Sequence, residues 1–180
     1  MEQSAGYKKF LLLIGSVLLS ALIIALLIHE NYFFDTLDNE RITVYKKKSI
    51  PERLSAGQFV ILTTPENVKK YLHDKGLSAP TKKFYVKEIG GDEGDTFYIE
   101  RGQFYINNGL VGSVYRIDSK GRVLSNIEPG RKQIVKSGNA LLVETGKDYP
   151  FDSRYFGEIE KRNIISLAKP VYSFKKSKFF

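Results

Sequence analysis

Residues 10–28 form an apolar run that constrains the fold of this 180-residue chain more than any other feature. The run contains no charged residue, and its only polar side chains are the small hydroxyls of Ser16 and Ser20. Its length is close to the roughly 20 residues that a helix needs to cross the hydrocarbon core of a bilayer. The sequence therefore predicts one transmembrane helix, with a lipid bilayer as the first partner of the chain.

The flanks of this run favour an uncleaved anchor over a cleaved signal peptide. Lys8 and Lys9 would suit either one, as the positive n-region of a signal peptide or as a cytoplasmic flank. The run is longer than the usual core of a signal peptide, and no small-x-small cleavage site follows it. Residues 32–34 read Tyr-Phe-Phe instead, which is typical of an interfacial aromatic belt.

The charges on the two sides of the run predict the orientation of the chain. Basic residues precede the run, whereas the residues after it, as far as Glu40, are mainly acidic. This asymmetry favours a cytoplasmic amino terminus. We therefore predict a single-pass protein of the cytoplasmic (inner) membrane, with residues 1–9 in the cytoplasm, residues 10–28 in the bilayer and residues 30–180 on the periplasmic or extracytoplasmic side.

Composition argues against several kinds of chemistry. The chain has no cysteine, so a thiolate nucleophile, a disulfide and a thiolate metal site are all excluded. Its two histidines, His29 and His73, are too few for a multi-histidine zinc site. The formal net charge is +8, but the positive residues are dispersed, so we expect a solvated surface attracted to the membrane and no nucleic-acid partner. No metal and no cofactor is predicted.

Residues 42–174 alternate short apolar runs with turns, which is the pattern of a β-rich domain. A connector at residues 29–41 precedes this domain, a polar and flexible excursion at residues 118–133 interrupts it, and a basic, aromatic tail at residues 175–180 follows it against the membrane. The predicted strands are residues 42–45, 57–63, 83–89, 96–100, 103–106, 110–117, 140–144 and 164–168.

One helix and one tight hairpin turn connect some of these strands. Residues 64–76 read as a short helix with Thr64 as its N-cap, Pro65 at its first position and Gly76 just beyond its end. The sequence Asn-Gly at residues 108–109 predicts a type I′ hairpin turn. The predicted fold class is therefore an all-β (β-rich) extramembrane domain with one short helix, preceded by one N-terminal transmembrane helix.

A lysine inside an apolar stretch is the first candidate for chemistry. Lys87 stands in a strand-like run in which Phe84, Val86 and Ile89 would help to surround it. A lysine in apolar surroundings is costly to keep charged, so its pKa falls and it can act as a base near neutral pH. Taken alone, the same sequence also suits a solvated lysine on a strand edge.

A serine near the start of the domain is the candidate nucleophile. Pro51 fixes its own backbone and pushes the preceding residue towards an extended conformation, which gives Ser49 a defined, turn-like setting. Ordinarily such a Ser-x-Pro sequence is only a loop, and Ser55 lies nearby as a second serine.

Several blocks in a fixed order resemble the signal peptidase I family of Ser-Lys membrane peptidases. Ser-Ile-Pro at residues 49–51 is followed by Gly57, and Lys87 is followed by the glycine and aspartate positions of the lysine block. The last block, Asp-Ser-Arg-Tyr-Phe-Gly, stands at residues 152–157. The lysine block carries its matches at Gly91, Gly94 and Asp95. The branch that these blocks resemble most is the TraF-type peptidase of conjugative plasmids, which matures pilin precursors.

The resemblance implies a membrane-anchored serine endopeptidase that removes signal or leader peptides from exported precursors. It assigns Ser49 as nucleophile and Lys87 as general base. It also implies an ion pair between Asp152 and Arg154 that supports the site. The implied partners are a pilin-like precursor with a signal peptide and components of a secretion system. The remaining supporting residues that it implies are Pro51, Gly91 and Asp95.

Some positions depart from the family pattern. Glu-Thr-Gly at residues 144–146 replaces a Gly-Asp-Asn sequence, and Pro150 replaces a serine whose hydroxyl could orient the lysine. Lys47 replaces a serine that completes the oxyanion hole in some members, and Gly90 and the acidic pair at residues 92–93 differ from a common Leu-Pro. The group that orients Lys87 and the second oxyanion donor are therefore unassigned by sequence.

Three alternatives remain open at this point. A housekeeping signal peptidase I would share the same chemistry with a broader set of precursors. A catalytically inactive, membrane-anchored scaffold of a secretion assembly would share only the fold. If the chain is a peptidase, the acyl-enzyme could be resolved by water or by the amine of the substrate itself, giving hydrolysis or cyclisation.

Overall fold

The structure is a computed structural model that describes residues 2–38, 41–77, 83–115, 127–145 and 150–175. The chain divides into two compact units, which we describe separately: Met1–Lys47 with Pro170–Phe180, and Lys48–Lys169. Part of the predicted polar excursion, residues 118–126, lies outside the described residues, and so do residues 176–180 of the predicted tail.

The first unit begins with a long helix, α1 (Glu2–Asn31). Its segment Phe10–Asn31 has a mean hydropathy of 3.0 and is long and apolar enough to cross a bilayer. The two serines bond back to the helix, because Ser16 Oγ donates to the Leu13 carbonyl and Ser20 Oγ donates to the Ser16 carbonyl, both at 2.8 Å. The predicted apolar helix is thus present, and it extends beyond both ends of residues 10–28.

A small antiparallel sheet follows in the first unit. Strands β1 (Tyr32–Asp38) and β2 (Arg41–Lys48) pair with each other. A later strand, β11 (Ile164–Lys175), lies beside β2, and Thr43 Oγ1 donates to Ser173 Oγ at 3.1 Å. Residues 32–38 were predicted to belong to a connector, but they form a strand because β2 offers them a partner edge.

The second unit contains two antiparallel sheets and two short helices. One sheet has the strand order β11-β3-β4-β9-β10, and the other has the order β7-β6-β5-β8. In chain order these elements are β3 (Phe59–Thr63), α2 (Glu66–Asp74), β4 (Phe84–Asp92), β5 (Thr96–Glu100), β6 (Gln103–Ile106), β7 (Gly109–Ser113), β8 (Gln133–Ile134), β9 (Asn139–Val143), α3 (Ser153–Phe156), β10 (Ile159–Glu160) and a 3-10 turn at Lys161–Asn163.

The core of the second unit lies between these elements. Residues from both sheets and from helix α2 form one cluster of buried apolar side chains. Fully buried members anchor each part, with Leu62 from β3, Ile89 from β4, Phe104 from β6 and Leu141 from β9. Strands β3, β4 and β9 lie in the middle of their sheet.

The predicted fold class is confirmed, since the described part of the chain is mostly β-strand after the apolar helix. The hairpin at Asn107 and Asn108 is present between β6 and β7, with φ angles of 49° and 65° at these residues. Gly76 ends α2 with a φ of 62°, as predicted. His73 is an exposed surface residue at the end of that helix.

Two details of the prediction were wrong. Helix α2 begins at Glu66 with Pro65 as its N-cap, so Thr64 is not the cap. The side chain of Thr64 is instead hydrogen-bonded to Tyr85 on β4. The one-turn helix α3 and the two-residue strands β8 and β10 were also missed, because segments this short carry no hydrophobic period.

Candidate active site

Lys87 lies on a central strand of the second unit and is largely buried. It pairs with Val60 across β3, and its side chain is 13% exposed. The Lys87 Nζ donates to the Phe151 carbonyl at 2.9 Å and lies 2.5 Å from Glu144 Oε1. The end of the side chain is therefore met by polar groups, which differs from the apolar surroundings predicted from the sequence. A carboxylate at this distance stabilises the ammonium form of a lysine.

The strand register explains why Glu144 meets Lys87. Strands β4 and β9 run antiparallel with Glu88 opposite Val143, so the residue after Val143 stands opposite Lys87. Directly opposed side chains on one face of a sheet are close enough to interact. Sequence reasoning missed this carboxylate, although it noted that residues 144–146 depart from the family pattern. The signal that would have found it is the pairing of the two strands.

Glu144 is also tied to the segment that carries the last sequence block. Its Oε2 accepts from the Phe151 N–H at 2.7 Å, and its own N–H donates to Asp152 Oδ2 at 2.8 Å. Phe151 thus bonds Glu144 through its N–H and Lys87 through its carbonyl. Pro150 offers no hydroxyl to the lysine, and the Phe151 carbonyl and Glu144 bind its ammonium instead.

The ion pair predicted between Asp152 and Arg154 is present and buried. Arg154 Nε and Nη2 donate to the two carboxylate oxygens of Asp152 at 2.8 and 2.9 Å, which is a bidentate arrangement. Asp152 is fully buried and caps α3 by accepting from the Arg154 N–H at 3.0 Å. Arg154 Nη1 also donates to the Ser113 carbonyl at 2.9 Å. The pair holds α3 against the end of β9 and the edge of β7.

Ser49 lies in the loop between β2 and β3 and is exposed. Within the described residues its hydroxyl has no hydrogen-bond partner, and the Lys87 ammonium is bound by Glu144 and by the Phe151 carbonyl. Later residues of the same loop are bonded to the lysine strand, because Gly57 N–H donates to the Ile89 carbonyl at 2.9 Å. The structure thus attaches the serine loop to β4 but shows no hydrogen bond between the serine and the lysine.

The other supporting residues lie beyond Lys87 along β4 or in the loop. Pro51 is an exposed loop residue. Gly91 follows a register shift, and a Cβ there would stand 3.2 Å from Asp95 Oδ2. Asp95 closes the turn after β4, since its carboxylate accepts from the Asp92 N–H at 2.7 Å and from Asn107 Nδ2 at 2.8 Å. Gly91 and Asp95 therefore shape the turn and do not contact the lysine.

A second buried carboxylate fastens the serine loop. Asp92 Oδ2 accepts from the Leu54 N–H at 2.9 Å, and Asp92 Oδ1 lies 2.6 Å from Lys161 Nζ. Burial by itself would raise the pKa of Asp92, but the hydrogen bonds from Lys161 and the Leu54 N–H outweigh it and hold that pKa below its usual value. No local sequence pattern predicts this pair, whose members lie on distant parts of the chain.

The described residues contain no group of three or more histidine or acidic side chains arranged to hold a metal ion. An open cavity of about 390 Å³ does occur in the second unit, but its lining includes Asn67, Phe97 and Glu158 and neither Ser49 nor Lys87.

Comparisons with known proteins agree on one family. A family model described as signal peptidase, peptidase S26, matches residues 7–173. The conjugal transfer protein TraF of Agrobacterium tumefaciens (strain 15955) is 24% identical over 176 residues, covering 93% of this chain and 97% of that protein. The plasmid transfer protein TraF of Escherichia coli is 25% identical over 138 residues, covering 72% of this chain and 76% of that protein.

Among solved structures, a signal peptidase I from Enterococcus faecalis V583 is similar with a TM-score of 0.37 and 16% sequence identity. The match covers 66% of this chain and 98% of that chain.

Proposed function

The chain belongs to the signal peptidase family, peptidase S26, and we propose that it is a membrane-anchored serine endopeptidase that uses Ser49 and Lys87 as its catalytic dyad. It removes signal or leader peptides from exported precursors. The observation that carries this proposal is the largely buried Lys87 on β4, in a chain that matches the family from residue 7 to residue 173.

The proposed chemistry follows from the two side chains. Neutral Lys87 takes the proton from Ser49, whose Oγ attacks the scissile carbonyl. The backbone N–H of Ser49 donates to the oxyanion that develops. Lys87 then passes the proton to the leaving amine, and water or another amine resolves the acyl-enzyme. Ser49 is exposed on its loop, which suits attack on a peptide that arrives from outside the unit.

The Asp152–Arg154 pair supports the dyad indirectly in this proposal. It fixes the segment that contains Phe151, whose carbonyl accepts from Lys87. It also binds the N–H of Glu144. Pro51, Gly91 and Asp95 have a different role, because they shape the serine loop and the turn after β4.

The names of the two relatives suggest the substrate. One is a conjugal transfer protein and the other a plasmid transfer protein. We therefore propose a pilin-like precursor in conjugative transfer as the substrate, and other components of the transfer machinery as partners. The precursor would lie extended against the protein, as peptides do beside sheet edges.

The proposed location follows from α1. Its apolar segment suits a single-pass anchor, and we place residues 10–28 in the inner membrane. Residues 1–9 then lie in the cytoplasm, and the proposed peptidase domain, residues 42–174, lies on the periplasmic side. The connector, residues 29–41, and the tail, residues 175–180, would lie close to the bilayer.

Cleavage of a pilin-like precursor by the full chain in detergent tests the proposal. Wild type should cut after a small residue, whereas Ser49→Ala and Lys87→Ala should be folded and inactive. Ser55→Ala is the matched control, since Ser55 is an exposed serine of the same loop. Product masses then separate hydrolysis from cyclisation, because a cyclic product is lighter than the cleaved linear product by one water.

Other outcomes of this assay would favour other functions. Cleavage of unrelated exported precursors with equal efficiency would indicate a housekeeping signal peptidase I. The ion pair of Lys87 with Glu144 is the observation that favours an inactive scaffold, since it keeps the proposed base bound to a carboxylate. A wild-type protein that cuts no precursor at any pH would support that second function.

A further inference from the structure

Lys87 and Glu144 form an ion pair inside the proposed site. The Nζ and Oε1 atoms are 2.5 Å apart, and the two side chains are 13% and 12% exposed. An exposed pair would contribute little, because solvent screens it. A largely buried pair interacts more strongly, so each charge depends on the other.

We infer that Glu144 is a positioning residue that holds Lys87 in its ammonium form and thereby sets the pH above which the proposed dyad works. This inference rests on the proposed function, in which Lys87 must be neutral to accept the proton of Ser49. The ammonium has to release one proton before it can act as a base. A carboxylate next to it opposes that release.

The carboxylate is held so that it cannot easily turn away. Its second oxygen accepts from the Phe151 N–H at 2.7 Å, and the backbone N–H of Glu144 is bound to Asp152 at 2.8 Å. The carbonyl of the same Phe151 accepts a hydrogen bond from the Lys87 ammonium. Both partners of the ion pair are thus fixed by one residue, which keeps the carboxylate aimed at the lysine.

The other titratable groups on the described strands beside Lys87 are bound elsewhere or neutral. Neither β3 nor β9 contains a titratable residue. On β4 the carboxylate of Glu88 is bound by Thr145 Oγ1 at 2.7 Å, and Tyr85 has a pKa raised by burial and so stays neutral.

Residues 150–156, the described segment that follows, are bound in the same way. Asp152 is neutralised by the bidentate contact with Arg154. Tyr155 on α3 has a pKa raised by burial, so it is neutral as well. Glu144 therefore supplies a negative charge 2.5 Å from the Lys87 ammonium.

The test is the pH dependence of kcat/KM for the pilin-like precursor, with wild type and Glu144→Gln. The amide keeps a carbonyl acceptor for the Phe151 N–H but carries no charge. The acid limb of the kcat/KM pH profile should move to lower pH by about one to three units in Glu144→Gln. A shift of this size is the usual effect of an opposite charge on the pKa of a neighbouring group. On the acid side this shift makes the variant about 10- to 1,000-fold faster than wild type.

Glu88→Gln is the matched control, because it removes an equal charge from the adjacent residue. Its acid limb should stay within a few tenths of a pH unit of wild type. The inference is overturned if the acid limb of Glu144→Gln coincides with that of wild type, or if the folded variant is inactive at every pH. A merely structural role would change kcat/KM by a constant factor and leave the limb where it is.

A measurement on the unmodified side chains keeps the inference testable if Glu144→Gln does not fold or if no precursor is cut. The ε-carbon signal of Lys87 in ¹³C-lysine-labelled protein can be titrated by NMR and assigned by its absence in Lys87→Ala. We expect an ammonium throughout the neutral range. A neutral amine at pH 7 would overturn the inference, whereas failure of the cleavage assay alone would overturn only the proposed function.

Discussion

Two ion pairs of the second unit differ in how completely they are buried. Asp152 and Arg154 are 0% and 4% exposed, and further hydrogen bonds bind both of them. Lys87 and Glu144 are 13% and 12% exposed. A fully buried pair fixes a structure, whereas a pair that keeps some contact with solvent can exchange protons with it. The first pair is therefore a structural brace, and the second remains partly open to solvent.

The largest effect should be on kcat/KM, and it should come from replacing the lysine of the Lys87–Glu144 pair. Lys87→Met keeps most of the side-chain volume but cannot accept a proton. We expect kcat/KM to fall by about ten-thousandfold, as for loss of a residue that acts with a nucleophile. Circular dichroism in detergent should show a folded protein. A variant that keeps a tenth or more of the activity would mean that Lys87 is not the base.

The next largest effect should come from breaking the Asp152–Arg154 pair, and it should appear as a lower free energy of unfolding. Arg154→Ala leaves the carboxylate of Asp152 buried without its partner. Such a loss costs about 3–5 kcal/mol of the free energy of unfolding. Thermal unfolding of the full chain in detergent measures it. If the melting temperature is unchanged, Asp152 and Arg154 are not a brace.

A third carboxylate tests whether buried pairs of this unit respond to acid. The pKa of Asp92 is lowered in the folded protein, so its ionised form stabilises the fold at pH values above about 4. That stabilisation is lost as the pH falls through the lowered pKa. Acid unfolding of wild type should therefore be steeper than that of Asp92→Asn, measured by circular dichroism against pH. Parallel curves would show that Lys161 and the Leu54 N–H do not stabilise the carboxylate.

The smallest effect should come from an exposed ion pair. Arg162 lies beside Glu160, but their side chains are 80% and 51% exposed. Arg162→Ala should change the free energy of unfolding by less than about 0.5 kcal/mol, because solvent screens such pairs. It therefore serves as the control for Arg154→Ala in the same thermal scan. A large loss of stability in Arg162→Ala would show that buried and exposed ion pairs of this unit do not differ in their contribution to stability.

Much of the fold was predictable from local patterns. Strands β5 and β6 have the bounds that alternation predicted, and the Asn-Gly hairpin follows them directly. The apolar helix was predictable because length and composition alone decide it. The strand β1 was not, since its residues form a strand through their partner β2 and not through their own pattern.

The candidate site was predictable only where sequence blocks carry it. Ser49, Lys87 and the Asp152–Arg154 pair were all singled out by the order of the blocks. Glu144 was not, because its contact with Lys87 depends on how β9 aligns with β4 across a long stretch of chain. Asp92 and Lys161 meet for the same kind of reason. Contacts set by long-range register leave no local pattern.

One comparison of cleavage rates tests the central claim most directly. The full chain in detergent is given a pilin-like precursor at several pH values, and intact masses of the products are recorded for wild type, Lys87→Met and Lys136→Met. Lys136 is an exposed lysine that pairs with Glu158, and it is the matched control. The account predicts one cleavage after a small residue by wild type and by Lys136→Met, and none by Lys87→Met. Equal cleavage by all three proteins would contradict it.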